Sequence, residues 1–302
     1  MTRRDVLAGL AGAGALRAAA SVERLRAGKC MVEITIADGR VELGRPAVID
    51  WITKAVRAVE TYYGRFPVPE ARIEVQPVEG RRSVFSGVTF GRVPTLTRIS
   101  VGSQITQEKL DEDWVMTHEL VHLAFPSVPR RQHWIEEGLS TYIEPLARVH
   151  AKQISEDMFW RDMIRDMPQG LPKEGDRGMD NTHTWGRTYW GGALYCLHAE
   201  VAIREQTSNK RGLQHALRGI VENVGSIQEE VELGPVLAAG DKATGTRVMT
   251  ELYGRMKDQP EPMDLPELWK ALGVSWVDGE VTYNDTARLA AVRRAIVTPL
   301  HS

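Results

Sequence analysis

His118-Glu119-Leu120-Val121-His122 sets two histidines four positions apart, with a glutamate directly after the first. On a helix, positions i and i+4 share one face, so both imidazoles would point at one spot. Two neutral imidazoles on one face suit a zinc ion. Glu119 lies off that face, where a carboxylate can exchange a proton with water. Catalytic zinc takes three protein ligands and keeps one position open. Glu137, in the run Trp134-Ile135-Glu136-Glu137-Gly138, is the candidate third ligand. Zinc held by His118, His122 and Glu137 would supply a Lewis acid for a substrate carbonyl and for water, with Glu119 as general base. The competing reading is two histidines packed or solvated on an ordinary helix.

The elements around the motif agree with the chemistry. Leu110, Trp114, Val115, Val121 and Phe125 recur at helical spacing. Asp111, Glu112 and Asp113 suit first turns, and Pro126 and Pro129 are stops. This predicts one helix over 108–125. A second helix, over 133–149, should kink or end early at Pro145. Ahead of the motif, alternation predicts strands at 31–36, 71–76 and 97–101, with a weaker one at 84–90. A helix over 46–63 starts at Pro46, closes at Gly64 and buries Val48, Ile52, Ala55, Val59 and Tyr62. Beyond 150 the pattern is mostly helical. Ser155 caps a helix carrying Phe159, Trp160, Met163 and Met167, while Asp264 with Glu267 opens another that Gly273 closes. The Gly-, Asp- and Pro-containing segment 168–184 reads as a flexible loop at the rim of a cleft. The expected architecture is α+β: a small sheet backed by helices, then a mainly helical lobe, with the zinc site between them.

The pairing of His118 to His122 with Trp134-Ile135-Glu136-Glu137-Gly138-Leu139-Ser140 resembles the gluzincin clan of zinc metallopeptidases. Thr188-Tyr189-Trp190-Gly191-Gly192-Ala193-Leu194 is similar to the Tyr-x-Lys-Gly segment of its aminopeptidase branches. The regions 189–220 and 268–296 look most like the glycyl aminopeptidase family. The likeness spans roughly 100–298. It implies a thermolysin-like catalytic domain, one zinc ion, a peptide or protein substrate, and Tyr189 as stabiliser of the oxyanion. His183 is an alternative for that last role, and Thr141 a possible outer partner of the ligands. Two departures stand out. Gly191 replaces the lysine, and neither 86–91 nor 97–101, where the clan's amine-gripping glutamate would lie, contains an acidic residue. The reading is therefore a zinc-dependent metallopeptidase. The alternatives are an aminopeptidase of the same clan, or a zincin-fold binding or assembly module without catalysis. Retention of His118, Glu119, His122, Glu137 and Tyr189 weighs against the last.

With 302 residues the chain can bury a full core, and the formal net charge of -2 has both signs dispersed. Arg81-Arg82 and Arg130-Arg131 are isolated pairs, so no nucleic-acid stripe is predicted. Arg3-Arg4 precedes an apolar Gly/Ala-rich run, and Ala18-Ala19-Ala20 follows it. This resembles a twin-arginine export signal and predicts a periplasmic or secreted protein, or a cytoplasmic one if residues 1–20 are an ordinary N-terminus. No stable membrane insertion is expected after its removal. The domain division expected is 1–20 signal, 21–150 sheet and zinc-binding helices, and 151–302 helical lobe. Cys30 and Cys196 lack metal-ligand spacing; they would form one disulfide at most, and Cys196 reads as a small buried residue. His133, His150, His198, His215 and His301 have no motif around them.

Overall fold

The computed structural model describes residues 22–300. The twin-arginine-like segment at 1–20 lies outside the described residues. Five strands form one mixed sheet: β1 (Val22–Ala27), β2 (Cys30–Ile36), β3 (Glu70–Val78), β4 (Val84–Phe90) and β5 (Thr95–Gly102). Their spatial order is β1-β2-β3-β5-β4. The centre is parallel, β2 with β3 and β3 with β5, and both edge strands run antiparallel to their neighbours. Helix α1 (Arg45–Tyr63) makes the crossover from β2 to β3 and buries the face anticipated from its spacing.

The motif segment departs from expectation. It is two helices, α2 (Gln107–Asp111) and α3 (Val115–His122), instead of one over 108–125. The reason lies in Asp113. Its carboxylate accepts from the amides of Val115 and Met116, both at 3.1 Å, and so opens α3 as a fresh helix. The indole of Trp51 in α1 donates to the same carboxylate at 3.0 Å. Trp114, counted above in the apolar stripe, is 52% exposed.

Helix α4 (His133–His150) continues through Pro145 to its end, so it does not stop early there as one expectation had it. Beyond it come α5 (Glu156–Asp166), a π-helical turn at Arg187–Gly191 opening into α6 (Gly192–Gln206), then α7 (Leu213–Asn223), α8 (Leu233–Thr244), α9 (Val248–Met256) and α10 (Leu265–Leu272). A short hairpin, β6 (Val274–Val277) with β7 (Glu280–Tyr283), and α11 (Ala290–Val297) close the lobe. The anticipated caps are present: Ser155 accepts from Met158 N, Asp264 from Glu267 N, and Gly64 and Gly273 take left-handed backbone. Among the described residues no helix is long and apolar enough to cross a membrane. Cys30 and Cys196 are both buried free thiols, not a disulfide.

One close crossing fixes the position of the third candidate ligand. Helices α4 and α6 meet at Gly138 and Gly192, and a Cβ placed on Gly138 would overlap the Gly192 backbone. Gly138 directly follows Glu137, so the crossing sets how deep that carboxylate sits. Gly138→Ala is expected to cost about 1–3 kcal/mol through overpacking. Thermal unfolding measures this, and an unchanged Tm would show that the crossing has slack.

Candidate active site

Helix α3 packs beneath β4 and β5, and α4 lies beside it. This brings His118 and His122 from one helix against Glu137 from the other. Glu137 Oε2 lies 3.2 Å from His118 Nε2 and 3.7 Å from His122 Nε2. Among the described residues, these three form the group able to hold a metal, with all ligand atoms within 4.8 Å of one another. The donor set fits zinc: two imidazole nitrogens and one carboxylate, largely withdrawn from solvent. Burial, with help from neighbouring His118, lowers the His122 pKa to about 3, so its imidazole is neutral as a ligand must be. Burial opposes ionisation of Glu137, but hydrogen bonds from His118 and His133 outweigh it and hold the carboxyl below its ordinary range.

His133, which carries no motif, proves to be part of the site. Its Nε2 stands 3.0 Å from Glu137 Oε1 and its Nδ1 2.7 Å from Glu136 Oε2. Those two contacts, Glu136 first, push its pKa up to about 10. The far oxygen of the candidate ligand is therefore held from its own helix, one turn earlier. Glu136 also accepts from the Val128 amide at 3.2 Å and ties the α3–α4 connection to the helix start. The spacing of His133 four positions before Glu137 was the available signal.

Glu119 faces the edge strand. Thr89 Oγ1 on β4 donates to Glu119 Oε2 at 2.9 Å and lies 3.0 Å from its backbone carbonyl. Gly87, two residues earlier on the same strand, packs directly on the side chain: a Cβ there would come within 2.8 Å of Glu119 Cδ. Burial raises the carboxyl of Glu119 above its ordinary value. The strand that runs past Glu119 is thus 84–90, and it presents Gly87 and Thr89 to that side chain, with no acidic residue. The other candidate segment, 97–101, is in β5, inside the sheet.

Tyr189 sits in the π-helical turn, its ring stacked on His118 at 6.2 Å between centroids. Trp185 in turn stacks on Tyr189 at 5.7 Å between centroids. Burial, then the carboxylate of Glu137, raises the Tyr189 phenol to about 12, so it stays protonated and able to donate. His183 is exposed and takes no part in the cluster. Thr141 lines a cavity beside His118.

The segment leading to Tyr189 is anchored at buried residues. Asp180 accepts from the Trp134 indole at 2.9 Å, from Gln132 at 2.9 Å and from Tyr253 at 2.8 Å. Asp176 pairs with buried Arg187 at 2.7 Å. The loop therefore connects the helix that bears Glu137 with the turn that bears Tyr189.

A small mixed sheet with an antiparallel edge strand over the His-bearing helix, followed by a Glu-bearing helix and a helical lobe, is a fold similar to that of solved M1 zinc metallopeptidases. An aminopeptidase N family protein from Idiomarina loihiensis superposes with a TM-score of 0.61 at 13% identity, over 85% of this chain and 49% of that one. An M1 zinc metallopeptidase from Deinococcus radiodurans superposes with a TM-score of 0.51 at 15% identity, over 80% of this chain and 54% of the other. A mutant of a Deinococcus radiodurans M1 enzyme bound to a Tyr-Ser-Ala substrate gives 0.52 at 15% identity, over 80% and 53%. The chain spans about half the length of these structures. No family model matches the sequence, and comparison with curated proteins finds no match.

Proposed function

We propose that this protein is a zinc-dependent peptidase that hydrolyses peptide bonds without gripping a free amino terminus. The observation that carries the reading is the convergence of His118, His122 and Glu137 with Glu119 held beside them. His118, His122 and Glu137 would hold the metal, which when bound supplies Lewis acidity toward a carbonyl and toward water. Glu119 accepts a proton at its carboxylate and returns it to the departing amine. Thr89 fixes one oxygen of that carboxylate, leaving the other to handle the proton. Tyr189 donates its phenolic proton toward the carbonyl oxygen as negative charge builds there.

The aminopeptidase alternative needs a carboxylate for the substrate amine. The edge strand beside Glu119 offers only Gly87 and Thr89 there. The carboxylates in the cavity beside His118 are already matched to cations, as Glu144 is to Arg148 at 3.0 Å. Both facts favour the cleavage of internal bonds.

The test is metal content and hydrolysis measured together on the full chain. One zinc per chain and cleavage of a mixed peptide library, with cuts at internal positions, is expected. Release of single N-terminal residues would establish the aminopeptidase alternative. Absence of zinc would overturn the reading. A finer expectation concerns Tyr189→Phe: kcat should fall about 10²–10³-fold with zinc retained. An unchanged kcat would return Tyr189 to a packing role against His118.

A further inference from the structure

We propose that the cavity beside His118 is a subsite for one bulky apolar side chain next to the scissile bond. This rests on the peptidase reading above. The cavity encloses about 620 Å³ and runs from His118 and Tyr189 outward between α4 and α5. That volume falls within the usual range of small-ligand pockets, roughly 300–1,000 Å³.

Its wall is aromatic where it meets the site. Trp114 packs edge-on to His118 with centroids 5.5 Å apart, Tyr189 stacks on His118, and Trp185 stacks on Tyr189. Trp190 and Met158 extend the same lining. Trp114 is 52% exposed, Trp185 60% and Met158 36%. Large apolar side chains left this open around a reactive centre are what a ligand covers.

The charges in the cavity are mutually satisfied. Glu144 pairs with Arg148, which also donates to the Asp111 carbonyl at 3.0 Å. Asp162 pairs with Arg161 at 2.9 Å and with Arg165 at 3.0 Å. Asp166 holds Arg165 from the other side, and Glu112 is bound by Lys109 at 2.6 Å. Seating a charged substrate group here would mean breaking one of these pairs. An apolar side chain breaks none and removes aromatic surface from water. The occupant is therefore an aromatic or large aliphatic residue of a peptide. Because the cavity meets the site at His118 and Tyr189, it serves one of the two residues flanking the cut.

The experiment is digestion of a mixed peptide library by the zinc-loaded full chain, read by mass spectrometry, beside Met158→Trp and Trp185→Ala. Met158 is on the outer part of α5, so the larger side chain narrows the cavity without entering the metal site. For the parent chain, one flanking position should favour Phe, Tyr, Trp or Leu over Ala or Asp by roughly 100-fold, and the other should be flat. Met158→Trp should move that preference toward small residues, and Trp185→Ala should weaken it about tenfold, both with zinc content unchanged. Cleavage with no bias at either position, or a parent profile that Met158→Trp leaves untouched, overturns the subsite alone. If the parent cuts no peptide, the peptidase reading falls and the subsite falls with it.

Discussion

Glu119→Gln is expected to retain one zinc per chain and to lose peptide hydrolysis. The amide keeps the shape of the side chain that packs on Gly87, and its oxygen can still accept from Thr89, so the fold and the metal ligands stay in place. What disappears is the ability to take up a proton. General acid–base catalysis contributes roughly 10²–10⁴-fold, and kcat/KM should fall by at least that much. The measurement is turnover of a cleavable peptide alongside metal analysis of the same preparation. Turnover within tenfold of the parent would remove Glu119 from the mechanism, and the base would have to be sought elsewhere around the ligands.

Glu137→Ala should weaken zinc binding by more than 100-fold, judged against the 10–100-fold that loss of an outer partner of a ligand costs. Two imidazoles alone cannot close a three-ligand site, and His118 and His133 both lose the carboxylate they share. Competition against a chromogenic chelator measures the change. Full stoichiometric zinc at the parent's affinity would mean that another side chain completes the site.

Much of the arrangement was legible in the sequence because it is local. The spacing of His118 and His122 on one helical face needs only helix geometry. The face of α1 and the caps at Ser155, Asp264 and Gly273 are likewise short-range. What escaped has physical reasons. The break before α3 turns on a contact between Asp113 and Trp51, 62 positions apart in the chain. Strand β1 went unseen because it is an edge strand carrying Glu23, Arg24 and Arg26, with no clean alternation. The β6–β7 hairpin is short and mostly exposed, so it has little apolar pattern to read. Tyr189 was visible only through resemblance, since no local rule brings residue 189 onto the ring of residue 118. His133 had a local signal, its position one turn before Glu137, but a role needed the ligand's second oxygen to be located.

The supports around the three ligands have a thermodynamic consequence. Asp113, held by the Trp51 indole, sets where α3 begins; His133 holds the outer oxygen of Glu137; and the Gly138–Gly192 crossing sets the depth of α4. None of these contacts requires the ion. On the zinc reading, folding and metal loading would be separable equilibria, with the ion a ligand of an already folded chain. The stability it adds follows its free concentration, about 4 kcal/mol at a thousandfold excess over Kd. Chelation would withdraw that increment and leave a chain ready to be reloaded.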